Sequence, residues 1–241
     1  MSTIADRIAH VRARIAEAAE QAGRRPADIT LVTVTKTHPP ERIAEAIAAG
    51  SLDLGENRVQ EAIAKIATLA ADHSRLRWHL IGHLQRNKAR VAVESFDLIH
   101  SVDSLRLAET LNRHASDLGR RLAILLQLNV SGEASKEGFD LSGGLRNHAA
   151  LDQFLPQIEA ILALPALEIC GLMTIAPIVE DLDAARPVFA ELRTVRDELA
   201  RRYPNADWHA LSMGMTDDFP AAIAEGATIV RVGRAIFGER P

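Results

Sequence analysis

Residues 31–48 read LVTVTKTHPPERIAEAIA. Leu31, Val32, Thr33, Val34 and Thr35 are apolar or β-branched and suit a pleated, buried strand. The pair Pro39-Pro40 stops any strand, and residues 41–49 then place Ile43 and Ile47 on one helical face. Lys36 stands between the two, an amine where the β-run ends. Strand, short polar turn and helix make one βα unit.

The rest of the chain repeats that unit. Strand-like runs recur at 52–54, 77–81, 98–101, 123–130, 167–174, 208–212 and 229–232, giving eight with residues 29–35. Helical patterns lie between them at about 58–71, 85–93, 104–118, 149–163, 182–202 and 220–225, and Asp103 or Ser104 is placed to cap the helix that runs to Leu118. Strict alternation implies parallel strands joined by right-handed crossovers. The expected fold is α/β: a single (β/α)8 TIM-type barrel with an extra N-terminal helix, a doubly wound open sheet being the rival. No Pro/Gly/Ser-rich linker divides the chain, so residues 1–241 are expected to form one domain, with 1–22 a helix packed on the barrel. In that helix Ile4, Ile8, Val11, Ile15 and Ala18 form one stripe, and Asp6, Glu17 and Glu20 argue against a transit peptide.

Length and composition agree with this. The 241 residues are close to the ~250 typical of one such barrel. Hydrophobic residues are 47% and charged ones 25%, as in a soluble globular protein. A net charge of −4 supplies no basic field for nucleic acid or an anionic membrane. No apolar stretch approaches the ~18 residues that span a bilayer. Cys170 is the single cysteine, expected as a buried structural thiol in a reducing, cytoplasmic setting.

In this barrel class active sites lie at the C-terminal ends of the strands, and phosphate is often held by the loops after strands seven and eight. The polar residues past each run are Lys36; Glu56 and Asn57; His83; Ser101; Asn129 and Ser131; Met173 and Thr174; Ser212 to Thr216; and Arg231 to Arg234. In LSMGMTDD (211–218) and VRVGRAIFG (230–238), Gly214 and Gly233 let several backbone N–H groups turn toward one point beside a helix start. A lysine opposite a phosphate cradle is the layout of an enzyme or carrier that forms an imine with a phosphorylated aldehyde. With a reference pKa of about 10.4, roughly one lysine in two thousand is neutral at pH 7, so burial or a cation such as Arg231 must lower it for attack on a carbonyl.

Other signals point elsewhere. His79 and His83 have helical ligand spacing but straddle a strand end, and no HExxH or cysteine cluster joins them, so no metal site is expected. GHLQRNKAR lacks Walker spacing. Asp217 and Asp218 suit a capping or dipole role. Glu133, Lys136 and Glu137 lie in a long loop that reads as solvated, with a lid or partner surface as the alternative.

The segments VTKTHPPERI, GENRVQE, WHLIGHLQRNK, NVSGEASKEGF, GLMTI, LSMGMTDDFPAAI and VRVGRAIFG, in this order from about residue 5 to 238, resemble the pyridoxal phosphate homeostasis protein family, which is similar to the N-terminal barrel of alanine racemase. The resemblance implies pyridoxal 5'-phosphate (PLP) as cofactor and Lys36 as the Schiff-base lysine. It implies that Ser212 and the backbone near Gly214 and Gly233 hold the phosphate, with Met213 and Arg234 among the cofactor-binding residues. It puts Arg231 against the pyridine nitrogen and Asn57, His79 and Met173 around the ring. Arg58, Arg86 and Thr216 depart from the residues common at those positions. An arginine cannot accept the ring's proton, which weakens the ring as an electron sink. Racemisation needs a second base, in alanine racemase a tyrosine from another domain; the one tyrosine here, Tyr203, lies at a helix end. The expectation is therefore a PLP carrier, a monomer handing the cofactor to apoenzymes. Lys88 and Lys136 are possible stations in transit. The alternatives are an amino-acid racemase and a Schiff-base aldolase acting on a sugar phosphate.

Overall fold

The computed structural model describes residues 2–69, 75–133, 136–177 and 182–238. Its eight barrel strands are β1 (Thr30–Val34), β2 (Asp53–Glu56), β3 (Arg77–Leu80), β4 (Leu98–Val102), β5 (Leu122–Asn129), β6 (Leu167–Met173), β7 (Ala210–Ser212) and β8 (Ile229–Val232). Each pairs parallel with the next, and β8 returns to β1 with Thr30 opposite Ile229 and Thr33 opposite Val232, so the sheet closes. This is the expected TIM-type barrel, and closure rules out the open sheet. Residues 139–140, which the sequence pattern does not reveal, add a short parallel pairing to the last two residues of β5, Leu128 and Asn129.

The helices are α1 (Ile4–Gln21), α2 (Pro40–Ala48), α3 (Val59–Thr68), α4 (Ala89–Ser95), α5 (Leu105–Asp117), α6 (His148–Leu162), α7 (Arg186–Arg202), α8 (Phe219–Ala224) and α9 (Arg234–Phe237). Residues 70 and 71, the expected end of α3, lie outside the described residues. Ser104, not Asp103, caps α5: its hydroxyl accepts the Leu107 N–H. α1 starts with a capping box in which Thr3 and Asp6 satisfy each other's backbone N–H groups. Its stripe Ile4, Ile8, Val11, Ile15 and Ala18 is buried, against α8, α9 and α2. At roughly 1.5–3 kcal/mol per large aliphatic side chain, this burial rather than helix propensity fixes α1 to the barrel.

Two apolar clusters divide the interior. The larger runs through the helices and the outward faces of the strands. The smaller, Val32, Leu125, Met173, Ala210 and Ile229, draws only on strands and fills the inside of the barrel. Cys170 packs beside it but is half-buried rather than enclosed, and burial, with Glu168 and Asp207 nearby, pushes its thiol up to about 11.

Candidate functional site

At the C-terminal ends of the strands a cavity of about 560 Å³ opens. Lys36, Asn57, Arg231, Gly233 and Arg234 line it, and so do His38, Thr216 and Asp217, which the sequence reading did not select as ligands. His79, Met173, Ser212, Met213 and Gly214 are not in its wall. Met173 belongs to the barrel's inner apolar cluster, Met213 to the helix-facing core, and the Gly214 carbonyl accepts the Arg231 N–H at 3.0 Å, tying the loop after β7 to strand β8. Arg234 forms an ion pair with Asp217, and the His38 ring stacks on Phe237 with centroids 4.4 Å apart.

The position of Lys36 is set by a buried ionic knot under β1. Lys65, on α3, is 5% exposed, and its Nζ donates to the Thr35 carbonyl (2.7 Å), Glu56 Oε1 (2.6 Å) and Glu61 Oε1 (2.6 Å). Thr35 Oγ1 also donates to Glu56 Oε1, at 2.6 Å, and the Thr37 N–H donates to Glu61 at 2.5 Å. Thr37 sits at φ 67°, a conformation β-branched residues avoid, at a cost of order 1–3 kcal/mol. Both neighbours of Lys36 are thus held by one cation and two carboxylates. Burial pushes the Glu56 carboxyl above its ordinary range against the pull of Lys65 and Thr35. Burial acts the same way on Glu61, but hydrogen bonds from Lys65 and Thr37 bring it below the usual value.

A second polar chain crosses the inside of the barrel. Arg231 Nη1 donates to Ser212 Oγ (2.7 Å) and Nη2 to the Thr174 carbonyl (3.0 Å). Ser212 Oγ meets His100 Nδ1 at 2.8 Å, His100 Nε2 meets His79 Nδ1 at 2.9 Å, and His79 Nε2 meets Asp53 Oδ1 at 3.0 Å. With both rings neutral, the carboxylate end sets the direction: His79 Nε2–H donates to Asp53, His100 Nε2–H donates to His79 Nδ1, and Ser212 gives its hydrogen to His100 Nδ1. Burial opposes ionisation of Asp53, yet His79 and Arg77 hold its carboxyl below the usual range. Burial, then His79 and Arg231, depress His100 well below the ordinary histidine value. Arg231, fully enclosed, comes down to about 10 through burial and still carries its charge at neutral pH. The Ser212 hydroxyl and His79, implied as cofactor contacts, take part in the layer behind Arg231. His100 escaped the sequence reading altogether, though its place two residues after Leu98 puts both on the same strand face.

A closed barrel with an amine, an amide and two guanidinium groups around one strand-end cavity defines a class of small-molecule-binding β/α barrels. A family model described as alanine racemase, N-terminal domain, matches residues 7–241. The chain is 45% identical over 241 residues to the pyridoxal phosphate homeostasis protein of Pseudomonas aeruginosa, covering all of this chain and 97% of that one. It is 44% identical to the protein of the same name from Escherichia coli, across 100% and 98% of the two chains. PipY of Synechococcus elongatus, solved with PLP bound, superposes with a TM-score of 0.83 at 44% identity, over 98% of this chain and 100% of that one. Alanine racemase of Clostridium difficile shares the fold, with a TM-score of 0.67 at 15% identity over 95% of this chain and 55% of that one. The chain belongs to the pyridoxal phosphate homeostasis protein family.

Proposed function

We propose that this chain binds PLP covalently through Lys36 and serves intracellular PLP homeostasis as a carrier, without robust catalytic turnover. The observation that carries the reading is one cavity wall shared by Lys36, Asn57, Arg231 and Arg234. The cavity lies within the ~300–1,000 Å³ of small-molecule sites. Its donor set of one primary amine, two guanidinium groups and an amide suits an anionic aldehyde with hydrogen-bonding ring substituents. When bound, PLP supplies an aldehyde that condenses reversibly with a primary amine and releases water, together with an electron-withdrawing ring. Lys36 provides the amine. Arg231, charged and unable to take a proton, would leave a ring nitrogen held beside it unprotonated. Gly233 and Arg234, with Thr216, hold the phosphate end.

A carrier rather than a racemase is favoured by the position of Tyr203. Its hydroxyl donates to Glu159 at 3.0 Å beside a separate cavity formed by residues at the opposite ends of the strands, so it offers no second base at Lys36. We further propose that residues 1–241 act as one binding unit, a cytoplasmic monomer that delivers PLP to apoenzymes.

Borohydride reduction of the PLP-loaded protein, followed by peptide mass spectrometry, tests the assignment. One pyridoxyl group on the peptide containing Lys36 is expected; a label mainly on Lys88 or Lys136, or no label, overturns it. Turnover of D- or L-alanine that Lys36→Ala abolishes would defeat the carrier role. The knot beneath Lys36 gives a smaller effect. In Glu61→Ala both the Thr37 N–H and Lys65 Nζ lose an acceptor, the Thr37 bond alone being worth about 0.5–1.5 kcal/mol. PLP affinity, followed by absorbance titration, is expected to fall roughly three- to tenfold; unchanged affinity would separate the knot from the placement of Lys36.

A further inference from the structure

His83, which sequence spacing paired with His79, meets different partners: its Nδ1 lies 3.1 Å from Asp103 Oδ2 and 3.0 Å from Glu137 Oε2. The three residues follow β3, β4 and β5, so three loops converge at the rim. We propose that they form a binding site for one divalent transition-metal ion of the zinc class. This inference does not depend on the PLP reading.

The geometry is that of ligands around a cation. All three ligand atoms lie within 4.8 Å of one another. Around a tetrahedral ion with bonds of about 2.0–2.1 Å, ligand atoms stand roughly 3.3 Å apart, close to both measured contacts. A hydrogen bond alone does not account for two carboxylates at one nitrogen, because Nδ1 carries at most one hydrogen and can direct it well to only one acceptor. Even a protonated imidazole leaves the pair with a net negative charge, and among the described residues no lysine or arginine forms an ion pair with either carboxylate. One imidazole and two carboxylates is a donor set that suits zinc and its neighbours, leaving a coordination position for water.

The surroundings are built to hold these groups. Ser104 Oγ donates to the other Asp103 oxygen at 2.9 Å, the outer-shell contact that orients a ligating carboxylate. Ser101 Oγ donates to the Gly82 carbonyl at 2.7 Å, fixing the backbone before His83. Gly82 itself is packed so closely that a Cβ there would lie 2.5 Å from the Asn57 carbonyl oxygen. On the other side Lys136, next to Glu137, donates to the Ile175 carbonyl at 2.8 Å, and Ile175 and Asn57 both line the main cavity. A bound ion would brace the loop after β5 against that cavity's rim.

Isothermal titration of the chelator-treated, desalted full chain with zinc chloride tests this. One equivalent of zinc is expected to bind to the wild type. His83→Ala and Glu137→Gln should each weaken binding at least tenfold. His209→Ala, an exposed histidine at the opposite end of the barrel, should leave it unchanged. Cobalt(II) should give visible bands distinct from the aquo ion in the wild type and lose them in His83→Ala, with far-UV circular dichroism confirming an intact fold. Absence of zinc binding, or wild-type affinity in His83→Ala, overturns the proposal.

Discussion

Lys65→Met is expected to lower unfolding stability by about 3–5 kcal/mol, the usual cost of removing one partner from a buried ion pair. Methionine matches the stem of lysine but not its three donors, all of which are used. The Glu56 carboxylate, wholly buried, loses its cation, and the Thr35 carbonyl and Glu61 each lose a donor. For a chain of this size each kcal/mol moves the melting temperature by roughly 2–4 °C, so scanning calorimetry should show a drop of about 6–20 °C. The double variant Glu56→Gln/Lys65→Met removes the stranded charge and is expected to recover part of the loss, a coupling that a double-mutant cycle measures. A drop below about 1 kcal/mol for Lys65→Met alone would place the pair in the class of solvated surface bridges. Because the knot grips residues 35 and 37, the variant should also hold PLP poorly at temperatures where it remains folded.

The sequence makes some of this visible and hides the rest for physical reasons. The strand runs announce themselves because β-branched and apolar residues have a short period, and Lys36 stands out because it breaks one. β2 is harder. The pattern predicts 52–54, whereas the strand runs over Asp53–Glu56, since Gly55 and Glu56 look like loop residues. Gly55 is in the strand because any side chain would strike the barrel interior, its Cβ 2.8 Å from Val32 Cγ1. Glu56 is there because Lys65 neutralises it. Lys65 itself reads as a solvated helix residue until its partners, nine and thirty residues away, are known.

The polar chain inside the barrel was out of reach for a related reason. His79 and His100 meet only because β3 and β4 are neighbours in one particular register, with His79 opposite Leu98. Local spacing pairs His79 with His83, a residue that the turn after β3 carries out to the rim. Contacts along one strand or helix follow from its period; contacts across a closed sheet depend on register, which the hydrophobic pattern of buried parallel strands specifies weakly. The cavity residues at strand ends were therefore legible as a set, and the layer behind them was not.

That layer gives the protein a pH dependence of known sign. In the unfolded chain His100 takes up a proton near pH 6.5; in the folded chain burial, His79 and Arg231 keep it neutral to well below that. Across this window the unfolded state binds the extra proton, so stability rises with pH and is lost as pH falls, by up to about 1.4 kcal/mol per unit. Below pH 6.5 this one group should remove stability progressively as the pH falls. Urea unfolding at pH 7, 6 and 5 should show the decline in the wild type, and His100→Asn, whatever its stability at pH 7, should show a shallower one. An equal slope in the variant would mean that the imidazole accepts its proton in place. The relay makes that unfavourable for a structural reason: a second proton on His100 would place a second cation next to Arg231, with only the Ser212 oxygen between them.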